Sequence, residues 1–228
     1  MTETVKAYYD RIGKEYDDDR FGKSSYGQYI HKQECAFLDK WLPENPTQAV
    51  LDMGCGTGRF MSRATDGVDF SEGMTGEAKQ KFPDKNVHLA EITNTGLPAE
   101  SFERAFSMHV LMHLDAKTTT KFLQEAHRLL VEDGLFIVDF PSAKRRSFGQ
   151  RKVNDAHWHG SNAQNATDLW ALGNDNWKLI SKRGILFFPI HRFPVRIRPF
   201  MRFFDNLLCR SFLKGYASYV IVVLQKVR

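Results

Sequence analysis

Cysteine is scarce in this chain, and so is any long apolar run. Cys35, Cys55 and Cys209 lie far apart in 228 residues with no C-x-x-C pair, so neither a disulfide scaffold nor a zinc knuckle is spelled out, metal ligation is not expected, and a reducing, cytoplasmic setting fits best. The N-terminus lacks an apolar h-region, and the strongest apolar stretches, 185–190 and 219–224, are too short to span a bilayer. Internal repeats and long low-complexity linkers are missing too. With 42% hydrophobic and 26% charged residues, a wholly disordered or collagenous chain is excluded. The length favours one α/β domain with appendages.

Charge is unevenly spread. Residues 141–228 hold 16 Lys and Arg against 4 Asp and Glu, a net +12, which leaves −7 for residues 1–140. A basic C-terminal part implies an acidic partner: a phosphate- or carboxylate-bearing substrate, a nucleic acid or an anionic lipid surface.

Two helices are expected over 3–19 and 25–42, the second carried by Ile30, Phe37, Leu38 and Trp41 and stopped by Pro43, Asn45 and Pro46. Strands are expected at 49–52, 67–70, 86–91, 103–108 and 134–140, with a clear helix over 116–131. Strands alternating with helical crossovers argue for a parallel sheet covered on both faces. After Pro141 the texture turns polar, basic and Asn-rich. A strand at 177–188, a helix at 199–213 and a strand at 217–225 follow, and the last two strands are free to pair antiparallel at one edge.

The chemistry sits in Val50-Leu51-Asp52-Met53-Gly54-Cys55-Gly56-Thr57-Gly58-Arg59-Phe60, a strand ending in an acid and running into glycine at every second position. Glycines there let the backbone turn sharply and bring main-chain N–H groups close to a ligand. A dinucleotide fingerprint would need glycine where Arg59 stands, and no P-loop pattern occurs in the chain. NAD and ATP are both disfavoured.

This string resembles motif I of the class I S-adenosylmethionine (SAM) dependent methyltransferases, and four further blocks keep that family's order over roughly residues 48–140. Gly67-Val68-Asp69-Phe70 looks like the end of the second strand, Leu89-Ala90-Glu91-Ile92 like the third-strand motif, Ser101 to Leu114 like the fourth strand and its "HVL-HL" turn, and His127 to Phe136 like the helix end and fifth strand. The resemblance implies an α/β, Rossmann-like, doubly wound sheet of seven mostly parallel strands with the last antiparallel, helices on both faces, and SAM across the strands' carboxyl ends. It implies SAM contacts from Asp52, Gly54, Cys55, Gly56, Gly58 and Met108. Asp69 matches the acid that accepts the ribose hydroxyls, Phe70 and Met74 would flank the adenine, and Glu91 with the Ile92 amide would take its edge. S-Adenosylhomocysteine is then the product. The whole is expected to be one domain: a helical cap at 1–45, a SAM-binding core at 46–141 and a substrate-side part at 142–228. Only fourteen residues, 53–66, connect the first two strands, so a shortened crossover helix is expected, and Gly73 and Gly76 weaken the helix that follows Asp69.

Other residues compete with blander readings. His109 and His113, four apart, would share a helical face, but no third ligand accompanies them. His113 is either a general base at the acceptor pocket or a structural histidine at the end of the fourth strand. His157 and His159 fall where this fold inserts its substrate lid and are candidate substrate contacts. Tyr8, Tyr9, Tyr16, Tyr26 and Tyr29 pack helices or close over the cofactor. The stripe Phe200, Phe203, Phe204, Leu207 and Leu208 ordinarily means core packing. Among the arginines of 183–214 it would alternatively lie on a membrane or grip nucleic acid.

The expected acceptor is a small or lipid-like molecule, methylated on O, N or C, with an anionic group. Ser107-Met108-His109-Val110 replaces the N-P-P-Y type of turn, which lowers nucleic-acid amino groups as acceptors. An RNA methyltransferase and a non-catalytic SAM-binding regulator stay open as alternatives.

Overall fold

The computed structural model describes residues 5–13, 25–148 and 176–227. Among the described residues seven strands form one sheet in the order β3-β2-β1-β4-β5-β7-β6. They are β1 (Val50–Met53), β2 (Asp66–Asp69), β3 (Asn86–Leu89), β4 (Phe102–Ser107), β5 (Leu130–Pro141), β6 (Trp177–Ile185) and β7 (Tyr219–Lys226). β1 to β5 are parallel, and β7 runs antiparallel to both β5 and β6. The expected doubly wound sheet is therefore present. The chain order reverses at β1, between β2 and β4, which opens a crevice at the carboxyl edge, where such sheets take ligands.

Alternation along the central strands feeds two apolar layers, because successive side chains point to opposite faces. Val50, Phe106, Ile137, Ile221 and Val223 face one layer; Leu51, Met53, Ala105, Phe136, Val138 and Val222 face the other. The second is covered by α4 (Ala116–Leu129), which buries Phe122, Leu123, Ala126 and Leu129. Asp115 caps that helix, accepting from Thr118 N–H at 2.7 Å, a bond typically contributing about 1 kcal/mol.

The first layer departs from expectation. No α-helix joins β1 to β2; a run of turns leads into a single 3-10 turn, Met61–Arg63. The twelve residues between Met53 and Asp66 must first make the glycine turn and leave no length for a helical crossover. The covering helix is α2 (Ser25–Leu38) instead, whose Ile30, Phe37 and Leu38 cluster with Phe60, Met61 and Ala64. Strand β5 also begins earlier than expected: Leu130 pairs with Phe102 and, after a register shift, Leu135 pairs with Arg104. Asp133, at φ +59°, makes the turn inside that bulge. Among the described residues the remaining α-helices are α1 (Val5–Ile12), α3 (Glu72–Lys81), α5 (Ala143–Phe148) and α6 (Arg198–Arg210).

The expected core packing of the 199–213 stripe is overturned. Phe200, Phe203 and Leu207 on α6 are 65%, 67% and 57% exposed, and the residues buried are Asp205 and Cys209. Among the described residues no helix is long and apolar enough to cross a membrane.

Candidate functional site

β1 delivers the chain to the crevice at Met53, and three glycines then take positive φ: Gly54 (+82°), Gly56 (+54°) and Gly58 (+88°). A residue with a Cβ is disfavoured there by about 1–2 kcal/mol on backbone grounds alone. Two of them are also hemmed in. A Cβ on Gly54 would meet Val110 Cγ2 at 2.5 Å, and one on Gly58 would meet the Phe82 ring at 2.9 Å. Gly56 differs, with nothing within 4 Å of that position. The turn is anchored from below, where the amides of Gly54 and Cys55 donate to Val68 O at 2.7 and 3.0 Å, and its outer surface at Gly56 lies open.

Asp69 borders this opening, and the buried Asp52 feels its charge. Asp69 is buried at the end of β2 and accepts from Gly56 N–H and Ser71 N–H, both at 3.0 Å. Burial raises its pKa, while the Ser71 and Gly56 amides pull against that rise. Asp52 is also buried, and burial together with the Asp69 charge pushes its carboxyl well above the ordinary range. A pair of buried acids that raise the cost of each other's ionisation is relieved by a cation.

The other residues singled out in the sequence sort by depth. Phe70 is half-buried and Glu91 exposed at the crevice rim, where the carbonyl of Glu91 accepts from Asn94 N–H at 3.0 Å. Met74, Ile92, Met108 and Cys55 are buried. Cys55 turns its side chain into the core against Met61, and a Cβ on Gly67 would stand 2.9 Å from its sulfur, so Cys55 offers the crevice only its backbone. His157 and His159 lie outside the described residues.

Helix α1 lies across one end of the crevice. Tyr9 sits between Phe70, ring centroids 6.5 Å apart, and His113, whose Nε2 shares a 3.2 Å hydrogen bond with its hydroxyl. Asp10 accepts from Ser71 Oγ at 2.6 Å. The helices approach so closely that a Cβ on Gly73 would lie 2.4 Å from Asp10 O, and one on Gly13 2.8 Å from Gly73 O. Gly73 thus serves contact with α1, at the expense of propensity in α3. In an exposed helix Gly→Ala adds about 1 kcal/mol of stability. Here Gly73→Ala is expected to displace α1 and speed proteolysis within residues 5–13, with no gain in melting temperature; a gain would contradict the close packing.

The histidine pair does not share a helical face. His113 ends a 3-10 turn, Leu111–His113, while His109 takes φ +62° just after β4. The left-handed residue turns the His109 ring away from His113 into a network that sequence reasoning missed. Nε2 contacts Glu34 Oε1 at 2.6 Å, Nδ1 stands 3.6 Å from Asp139 Oδ2, and the His109 N–H donates to Asp139 Oδ1 at 2.5 Å. Arg59 pairs with the other oxygen of Glu34, and the Tyr219 ring lies edge-on to His109 at 5.3 Å. Burial pushes the imidazole down in pKa, but Asp139 and Glu34 outweigh it and hold it above its usual value. Burial likewise opposes ionisation of Glu34, yet His109 and Arg59 bring it down to about 2. Glu34, His109 and Asp139 also place their ligand atoms within 4.8 Å of one another, as metal ligands would. With the imidazole in direct contact with Glu34 and Arg59 already neutralising it, the arrangement is an ion network that locks α2 onto the end of β4. One signal was legible: Glu34 falls on the same face of α2 as Ile30, Phe37 and Leu38, an acid on an apolar stripe.

Residues 51–138 match the family model described as "Methyltransferase domain". The uncharacterized protein MJ1252 of Methanocaldococcus jannaschii is 25% identical over 245 residues, covering 98% of this chain and 91% of that protein. The probable S-adenosylmethionine-dependent methyltransferase Rv3030 of Mycobacterium tuberculosis is 27% identical over 148 residues, covering 62% of this chain and 53% of that protein. Among solved structures, a SAM-dependent methyltransferase of Thermotoga maritima, described as a possible histamine N-methyltransferase, superposes with a TM-score of 0.71 at 20% identity, covering 96% of this chain and 98% of that one. The motif order, the sheet topology and these matches agree: residues 51–138 are a methyltransferase domain, carried on the fold shared with S-adenosylmethionine-dependent methyltransferases.

Proposed function

We propose that SAM binds over the Gly54–Gly58 turn and that the acceptor is a small, lipid-like molecule with an anionic group. One observation carries the cofactor placement: Gly56 alone of the three turn glycines has open space at its Cβ position, and its amide is held by the buried Asp69. The residues fit the cofactor chemically, since a diol and an ammonium answer two buried carboxylates. SAM supplies an activated methyl group when bound.

The chain's own work is binding, orientation and exclusion of water. Asp69 takes the ribose hydroxyls and Asp52 balances the methionine end. Gly54, Cys55, Gly56 and Gly58 contribute backbone, while Phe70, Met74, Glu91, Ile92 and Met108 line the adenine side. In this reading 1–45 caps the core formed by 46–141, and 142–228 forms the acceptor side with His157 and His159. Tyr9 on α1 closes one end of the crevice. The acceptor enters past two edge-on aromatic pairs, Tyr219 with His109 and Tyr26 with His191. His113, held by Tyr9, is the base that removes the acceptor proton where the nucleophile is O or N.

Incubation of the full chain with methyl-labelled SAM and a cell extract, partitioned between organic and aqueous phases, tests this. Label is expected in a small, anionic, organic-soluble product, and His113→Gln is expected to lower its formation by roughly 100-fold, the scale of one acid-base group, with SAM binding unchanged. Label confined to RNA, or a His113→Gln variant with the full rate and pH profile, would remove the acceptor reading or the base respectively.

A further inference from the structure

The outward face of α6 contradicts its amino-acid pattern. A helical apolar stripe normally turns inward, but here a polar clamp holds the inward side. Asp205, fully buried, accepts from Tyr29 Oη at 3.0 Å, Gln33 Nε2 at 2.9 Å and Phe188 N–H at 2.7 Å. With Asp205 fixed inward, Phe200, Phe203, Phe204 and Leu207 come out on the opposite side. The exposed apolar surface continues on both flanks, through Val195 at 71% and Phe212 at 90% exposure. Exposed apolar surface of this extent marks an interaction face.

Charge selects the occupant. Residues 190–216 carry six cations, Arg192, Arg196, Arg198, Arg202, Arg210 and Lys214, and a single acid, the buried Asp205. Beside the helix, Lys144, Lys182 and Lys214 converge: Lys144 and Lys182 flank Gly215 within 4 Å of its Cβ position, and the Lys182 amine is held below its ordinary value by burial and by Lys144 and Lys214. Like charges gathered this way are relieved by anions. A second copy of the chain would bring six cations against six, which disfavours self-association through this face. Aromatic and aliphatic side chains rimmed by arginine are the composition of a helix lying in a bilayer interface.

Position fits as well. β6 ends and β7 begins level with the end of β5, where Pro141 and Ile185 both pair with Tyr219. The β6-to-β7 connection that carries α6 therefore leaves and re-enters the sheet at the carboxyl edge, beside the crevice.

We infer that the α6 face docks this enzyme on an anionic lipid bilayer, with Phe200, Phe203, Leu207 and Phe212 at the acyl boundary and the flanking arginines among the headgroup phosphates. The consequence for the reaction rests on the acceptor reading above: the crevice then opens toward molecules dissolved in the membrane.

Flotation of the full chain with vesicles tests the inference. Association is expected with phosphatidylcholine vesicles containing phosphatidylglycerol, with little on phosphatidylcholine alone. Each of two surface pairs, Phe203→Ser with Leu207→Ser and Arg192→Glu with Arg196→Glu, is expected to weaken association by on the order of tenfold or more. SAM binding, measured on every variant, is expected to be unchanged. Several results would overturn the docking: no association of the native chain with anionic vesicles, equal association of the serine pair, competition by inorganic phosphate at millimolar concentration, or preference for single-stranded RNA lost in the same variants. A dimer that the serine pair dissolves would assign the face to a second copy and overturn it too. SAM binding retained alongside any of these confines the failure to the α6 face; its absence from the native chain would strike the methyltransferase site instead.

Discussion

Asp69→Ala is expected to weaken SAM binding by about 100-fold or more. Two charge-assisted hydrogen bonds to a diol are each worth about 1.5–3 kcal/mol, and both vanish with the carboxylate. The same change removes the acceptor for Gly56 N–H and Ser71 N–H, so the turn would also loosen. Asp69→Asn separates these effects, because its amide oxygen still serves one backbone N–H while the charge is gone. Titration calorimetry on ligand-stripped protein should rank native above Asn above Ala, with melting temperature falling further for the Ala variant than for the Asn variant. An Ala variant that binds SAM like the native chain would refute the ribose role. Loss of the Asp69 charge also relieves Asp52, whose pKa the neighbouring acid helps to raise.

Glu34→Ala is expected to cost the fold about 3–5 kcal/mol, the usual penalty when one partner of a buried ion pair is removed. For a chain of this size that corresponds to a drop of roughly 10 °C in melting temperature. His109 and Arg59 would be left with Asp139 as their remaining buried acid in the network. Linkage gives the effect a pH window. Glu34 titrates below its ordinary 4.5, at about 2, so its contribution is complete above 4.5 and is lost as the pH falls toward 2. His109 titrates above its ordinary 6.5, so its contribution is complete below 6.5 and is lost as the pH rises through its higher folded value. The native chain should therefore exceed Glu34→Gln in stability by the widest margin between pH 4.5 and 6.5, and the margin should narrow on both sides. Thermal melts of the two proteins across pH check this; a margin independent of pH would mean that the network is not ionised as described.

These two sites differ in how they could be found. The glycine turn and Asp69 are consecutive or nearly so along the chain, and backbone requirements such as positive φ map directly onto residue type. The strand pattern was similarly local, since two-residue alternation and continuous apolar runs are properties of neighbours. The Glu34–His109–Asp139 network joins residues 30 to 105 positions apart. Its decisive feature, a histidine held at φ +62°, violates local preference and is fixed by what surrounds it.

Sequence alone determined the sheet, the cofactor turn and the charge asymmetry, because each is written in residue type and short-range spacing. Tertiary structure decided which way the helices face. The apolar stripe of α6 reads as core by periodicity, but Asp205 meets Tyr29 and Gln33 from α2, more than 170 positions away. A buried carboxylate with three donors fixes the rotation of its helix more firmly than exposed phenylalanines oppose it. The same holds for Gly73, a poor helix residue that becomes necessary once the Asp10 backbone of α1 lies against it. Periodicity says that a face exists; only the partners across space say whether it is turned to the core, to a neighbouring helix or to a surface outside the protein.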